Sequence, residues 1–272
     1  MLRQRLIVVI VAIPIIFAVT AYGQWLFAVM IVAFLTLAAS EYGPLFRRSG
    51  QRPAAPLVIA GVAGMSIARY LWSFDHSPLI LAALLLAAMT WHLVDYERGA
   101  ELSATDFAIT VTGILYLGWI GSYLISLRQV PDGKWWVLLA LPTIMLSDGG
   151  AYFAGSNFGR HPMTPRLSPK KTWEGYLFGV VTGGVSGAGL AALWHLGAGP
   201  ASMVTAGRGL ALGLVIGAVA PLGDLGISML KRQAHTKDTG TLVPGHGGAL
   251  DRTDSWLWAG VLAYYFVTFF TS

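Results

Sequence analysis

Between residues 228 and 254 the chain concentrates groups suited to phosphoryl chemistry: Ser228, Lys231 and Arg232, then Lys237-Asp238, then His246-Gly247-Gly248-Ala249-Leu250-Asp251-Arg252-Thr253-Asp254. Strongly apolar segments flank this string on both sides. Asp224 lies just upstream, inside the apolar run from Leu210 to Leu230, where a charge is expensive in lipid and signals a site. A carboxylate in that place wants a cation. The spacing of Asp224, Ser228 and Lys231, at i, i+4 and i+7, predicts one shared helical face. A mid-helix position argues against capping for Asp224, and leaves a helix-locking pair with a lysine as its purely structural alternative. Asp251, Asp254 and Ser255 gather where the next helix should start, so Asp254 has ordinary N-terminal capping as its alternative role. His246 before Gly247-Gly248 marks a turn in which backbone can approach a ligand closely.

A second string precedes this one. Ser147-Asp148-Gly149-Gly150-Ala151-Tyr152 closes an apolar segment, and the loop after it runs into Ser168-Pro169-Lys170-Lys171-Thr172-Trp173-Glu174-Gly175. Ser168 reads as an N-cap with Pro169 at the first helical position, so free N–H groups and two lysines would together make a phosphate site. The bland alternatives are a Lys170–Glu174 pair on the helix surface and a juxtamembrane Lys-Lys that serves only topology. No Walker-type phosphate loop occurs, and the six histidines are too scattered for a zinc site. Hard carboxylates beside lysines suit magnesium and a polyphosphate instead.

The elements that position these groups follow from composition. With 55% hydrophobic and 11% charged residues over 272 positions, the chain lacks the polar surface to coat a soluble globule of this size. Apolar stretches approach or reach the length needed to cross about 30 Å of hydrocarbon near 6–22, 25–40, 54–71, 78–94, 107–127, 135–153, 174–196, 207–230 and 255–271. A polytopic membrane protein with about nine helical spans is expected. The first segment has the look of a cleavable signal, but a second apolar segment follows at once, so it is read as an uncleaved anchor. With the amino terminus inside, 14 of the 18 Lys and Arg fall on the cytoplasmic side, which puts both charged loops there and the carboxyl terminus outside. The formal net charge of +5 is mainly this topology signal, and nucleic acid is not an expected partner. There is no cysteine, hence no disulfide or thiolate chemistry. Glycines such as Gly183, Gly184, Gly187, Gly213 and Gly217 are read as allowing close helix packing.

The string Ser228 to Asp254 resembles the signature of the CDP-diacylglycerol synthase, or phosphatidate cytidylyltransferase, family: Ser-x-x-Lys-Arg, four residues, Lys-Asp, then His-Gly-Gly-x-x-Asp-Arg-x-Asp. The Ser147-Asp148 and Ser168–Gly175 stretches look like the same family's second block. The likeness runs over about residues 142–272, with mild departures at Val243 and Ala249, whereas residues 1–130 contribute only compatible hydropathy. A scaffold over 1–130 and a catalytic domain over 131–272 are expected. The resemblance implies an all-α fold with a membrane-embedded polar cavity open to the cytoplasm, CTP and phosphatidate as substrates, a homodimer in a bacterial inner membrane, and magnesium as cofactor, with a second metal or a monovalent cation beside it. It implies Asp224 and Asp251 as metal ligands, with Lys237 and Asp238 joining them in the catalytic set. Lys170, Lys171, Lys237 and Arg252 would meet phosphates, while Ser147, Asp148, Glu174, Ser228, Lys231, Arg232, His246 and Asp254 would complete the substrate pocket.

The physics of that reaction agrees with the residue types. Two polyanions must approach, an oxygen of phosphatidate must attack the α-phosphorus of CTP, and pyrophosphate must leave in line, so neutralisation and positioning dominate. The rival readings are a related CTP-dependent lipid kinase and an ion-coupled transporter that binds its ion at Asp148 and Asp224. A CDP-alcohol phosphatidyltransferase would need an Asp-Gly-x-x-Ala-Arg block, which Tyr152 breaks.

Overall fold

A computed structural model describes residues 14–240 and 247–271. His246 and Val243 lie outside these residues, as does most of the first expected span. A short helix over 14–22 (α1) leads into α2 (Gln24–Arg47), α3 (Ala55–Trp72), α4 (Ser77–Glu97) and α5 (Ser103–Gly113). A π-helical stretch, Ile114–Ile120, continues α5, and α6 (Tyr123–Gln129) and α7 (Gly133–Phe158) follow. After two short strands come α8 (Trp173–Ala198), α9 (Ala206–Val219), α10 (Pro221–Gln233) and α11 (Leu250–Thr271). Among the described residues, seven helical segments are long and apolar enough to cross a membrane. The expected ninth span corresponds to α11, an unbroken 22-residue helix outside those seven. Large apolar side chains left exposed along α4, such as Leu79, Leu86 and Leu93, suit a hydrocarbon surround.

The chain divides into two units, neither of which is continuous in sequence. One comprises Met1–Ser126 with Leu230–Thr253, the other Leu127–Met229 with Asp254–Ser272. The first unit therefore takes in the charged loop as well as the amino-terminal helices. Hydrogen bonds tie its elements together: Tyr42 of α2 donates to the carbonyl of Ile109 in α5 at 3.1 Å, and Thr110 Oγ1 of α5 accepts from Ala54 N–H, just before α3, at 2.9 Å. In the second unit α8 lies against both α7 and α9. Gly183 and Gly187 of α8 face Gly209, Gly213 and Gly217 of α9 so closely that an added Cβ would run into the opposite backbone. This is the close packing expected of those glycines, and it brings the helices together where lipid supplies no hydrophobic drive.

Two expectations about local structure are corrected. Ser168–Thr172 is not the start of a helix but a strand, β2, paired antiparallel with β1 (Pro162–Thr164). Proline biases the preceding Ser168 away from helical ψ, and α8 starts four residues later, with Thr172 Oγ1 accepting from Gly175 N–H at 3.2 Å as the N-cap. The second correction concerns Asp224. It is not mid-helix, because the apolar run breaks between α9 and α10 at Ala220-Pro221, and Asp224 falls in the first turn of α10. Pro221 can start a helix but cannot continue one, since it lacks the N–H that the preceding turn needs.

Candidate active site

In the second unit the strand and the helix break converge on one ion pair. Lys171 Nζ lies 2.5 Å from Asp224 Oδ2. Successive residues of a strand point to opposite faces, which is why Lys171 reaches Asp224 while its neighbour Lys170 stays exposed. Asp148, on α7, is within electrostatic reach of both Lys171 and Asp224. Its carboxylate, like Asp224 Oδ1, has no hydrogen-bond or ion-pair partner among the described residues. Two hard carboxylates and one ammonium thus share one polar spot.

Other expected residues of this unit serve the frame around that spot. Ser147 is buried and donates to the carbonyl of Gly179 at 2.9 Å, tying α7 to α8. Glu174 accepts N–H bonds from Arg160 at 3.1 Å and His161 at 3.2 Å, and its Oε1 lies 2.5 Å from His161 Nδ1. It holds the entry to the β1–β2 hairpin, and the alternative surface pair with Lys170 is not found among the described residues, since Lys170 is on the strand. Ser228 is half-buried in α10, and Asp254 Oδ1 accepts from Ser255 N–H at 2.6 Å.

The first unit holds a different cluster, centred on Asp251. Lys231 Nζ bonds Oδ1 at 2.6 Å, while Oδ2 accepts from Thr239 N–H at 2.9 Å, Thr239 Oγ1 at 3.0 Å and Gly248 N–H at 3.1 Å. The Lys231 ammonium and the two N–H groups on this buried carboxylate favour its charged form, and together they fix the loop ends that flank α11. Gly247 sits at φ +84°, a left-handed backbone that only glycine adopts without strain, and this lets the chain turn onto Asp251. Lys237, Asp238 and Arg252 are exposed, and Arg232 extends from the last turn of α10.

The residue that sequence reasoning missed is Glu41. It is buried in α2, 6% exposed, and its carboxylate receives Ala249 N–H and Leu250 N–H, each at 3.0 Å, and Thr239 Oγ1 at 3.0 Å. Those N–H groups open α11, so Glu41 caps a helix more than two hundred residues away in sequence. Thr239 Oγ1 contacts Glu41 and Asp251 alike, which links the two carboxylates through one hydroxyl. A Cβ on Gly248 would collide with both the Glu41 carboxylate and Thr239 Oγ1, so the second glycine of the His-Gly-Gly turn is small because Glu41 is there.

Magnesium takes about six oxygens and keeps several from water or phosphate. Asp148 and Asp224 fit that demand, since each has an oxygen to offer. Asp251 has both oxygens engaged by protein donors. Among the described residues no group of three or more His, Asp or Glu is assembled for a metal, so substrate and water oxygens would have to complete the shell.

The model of the cytidylyltransferase family matches residues 3–270, and so takes in the amino-terminal helices that carried no motif. A phosphatidate cytidylyltransferase from Synechocystis sp. is 33% identical over 291 residues, covering 97% of this chain and 96% of its own. One from Pseudomonas aeruginosa is 33% identical over 269 residues, 94% of this chain and 93% of its own, and one from Mycobacterium bovis is 32% identical over 254 residues, 88% and 80%. Matched from end to end by the family and by relatives of nearly its own length, with the Lys171–Asp224 pair and the Asp251 loop where the motifs fall, the chain belongs to the cytidylyltransferase family.

Proposed function

We propose that the chain transfers the cytidylyl group of CTP to phosphatidate, giving CDP-diacylglycerol and pyrophosphate, as an integral membrane enzyme and a homodimer. The observation that carries this reading is the Lys171–Asp224 pair with Asp148 beside it, in a chain whose relatives are named phosphatidate cytidylyltransferases. A phosphatidate oxygen attacks the α-phosphorus of CTP, the bond from that phosphorus to the β-phosphate oxygen breaks, and pyrophosphate carries away the bonding pair. Lys171 is held ready on a strand, so its ammonium moves from Asp224 to phosphate oxygens without a long search through rotamers. Asp148 and Asp224 would hold magnesium, which when bound neutralises phosphate charge and favours departure of pyrophosphate. Lys170, exposed on the same strand of the second unit, is free to meet the outer phosphates of CTP. Asp251, by holding Lys231 and the turn at Gly248, keeps the remaining loop in register.

The test is phosphatidate-dependent release of pyrophosphate from CTP by the purified chain. Lys171→Ala should lower kcat/KM by about a hundredfold or more, the usual effect of removing one donor to developing phosphoryl charge. Arginine should restore only part of it, since its planar fork does not replace a compact ammonium. An ion-coupled transporter would release no pyrophosphate. A CTP-dependent lipid kinase would release CDP.

Sidedness has its own test. The chain lacks cysteine, so a single Arg166→Cys reports the hairpin and a single Ser272→Cys the carboxyl terminus. An impermeant maleimide should label the first only from the cytoplasmic face and the second only from outside. Labelling of Arg166→Cys from outside would overturn both the orientation and the access of cytosolic CTP.

A further inference from the structure

The first unit contains a cavity of about 590 Å³ that the proposed reaction does not use. Its walls include Arg47, Arg52, Pro53, Trp91 and Asp95. Neither guanidinium has a hydrogen-bond or ion-pair partner among the described residues, and the one carboxylate on the wall, Asp95, lies 3.8 Å from His92. The backbone that carries the two arginines is nevertheless tightly fixed. Arg52 N–H donates to Asp106 at 2.7 Å, Ala54 N–H to Thr110 at 2.9 Å, Ser49 Oγ to the carbonyl of Gln233 at 3.2 Å, and Arg48 to Thr236 Oγ1 at 2.9 Å. A turn pinned by four bonds that leaves two guanidiniums aimed at open space is organised for an anion before the anion arrives.

A second, apolar cavity of about 190 Å³ lies along the same helix, lined by Leu81, Leu84, Leu85, Ile114 and Leu115. Leu84, Trp91 and Asp95 are spaced i, i+7 and i+11 and so share a face of α4. At about 1.5 Å per helical residue the leucines sit roughly 9–15 Å below Trp91, the depth of an acyl chain beneath a head group. Trp91 itself is of the type found at the membrane–water boundary.

We propose that the first unit binds an anionic phospholipid, its phosphate between Arg47 and Arg52 and an acyl chain against Leu84 and Leu85. The site stands on residues outside the proposed chemistry, and its test needs no turnover. Its turn is bonded to Gln233 and Thr236, so an occupant would also brace the segment that leads to Lys237.

The experiment is native mass spectrometry of the full chain in non-ionic detergent, with dioleoylphosphatidylglycerol or dioleoylphosphatidylcholine added at equal concentration. Wild type should retain phosphatidylglycerol at least about tenfold better than phosphatidylcholine, as expected for a head group held by two charge-assisted contacts. Arg47→Ala with Arg52→Ala should abolish that preference, while Arg47→Lys with Arg52→Lys keeps part of it and shows that charge, not folding, is read. Leu85→Trp fills the apolar cavity and should weaken phosphatidylglycerol retention without restoring phosphatidylcholine. Equal retention by the double alanine variant overturns the site. Displacement of the lipid by millimolar inorganic phosphate, with no effect of Leu85→Trp, overturns the lipid and leaves a free-phosphate site.

Discussion

Glu41→Ala should cost turnover about a hundredfold or more although Glu41 carries no motif and belongs to the amino-terminal helices. Its removal strands two donors, the N–H groups of Ala249 and Leu250, in a buried setting, while the Thr239 hydroxyl keeps Asp251 as its acceptor. Each such loss is worth about 1–3 kcal/mol, and about 3 kcal/mol of lost positioning corresponds to roughly a hundredfold in rate. Glu41→Gln should be intermediate, because its amide offers one acceptor but turns an NH₂ group toward donors. Gly248→Ala should mimic Glu41→Ala, since the new Cβ displaces the same carboxylate. Combined, the two should fall short of the product of their single effects, as removing Glu41 relieves one of the two clashes at Gly248 and leaves the one with Thr239 Oγ1. Pyrophosphate release with each single and double variant checks this. Wild-type turnover in Glu41→Ala, or full multiplicativity with Gly248→Ala, would remove Glu41 from the loop's support.

What was legible in the sequence was local chemistry, and what was not was long-range pairing. The acid-and-lysine strings announced themselves because charges are rare in this chain, and Lys171 and Asp224 do meet. Small residues at helical spacing likewise told of close packing between α8 and α9. Glu41 carries no motif and follows the apolar stretch 25–40 at the point where a span is expected to end, so its sequence position alone suggests a loop. The available signal was that α2 continues to Arg47, with apolar Tyr42, Leu45 and Phe46 beyond it, making Glu41 a charge inside a helix. Ser168-Pro169 misled for another reason. The dipeptide suits both a helix start and an extended strand, and the pairing with Pro162–Thr164 that decided between them is not visible from five residues. Asp224 was misplaced within its helix although Pro221 stood three residues before it, where a proline in an apolar run marks a break.

Asp224→Asn should abolish phosphatidate-dependent pyrophosphate release, by about a thousandfold or more, while the protein remains folded. The two acid–lysine pairs separate these effects. Lys231–Asp251 is nearly enclosed, with side chains 16% and 4% exposed, and breaking a buried pair costs about 3–5 kcal/mol. A loss of activity in Asp251→Asn would therefore mix chemistry with damage to the loop. Lys171–Asp224 is 28% and 35% exposed, and pairs open to that degree contribute about 0–1 kcal/mol to stability. Its amide variant should accordingly unfold within a few degrees of wild type. What it loses is charge: only Asp148 remains to offer magnesium a hard anionic oxygen, and Lys171 no longer has a partner that aims it. About a thousandfold in rate corresponds to about 4 kcal/mol of transition-state stabilisation, more than the pair could supply as a structural contact. Asp148→Asn, which leaves the Lys171–Asp224 pair in place, should instead raise the magnesium concentration needed for half-maximal rate and recover in part at saturation. The measurements are kcat across a magnesium titration and thermal unfolding for wild type and both variants. Near-normal kcat of Asp224→Asn at saturating magnesium would sink the assignment of this carboxylate to the metal, and a collapse of its unfolding temperature would return Asp224 to a structural role.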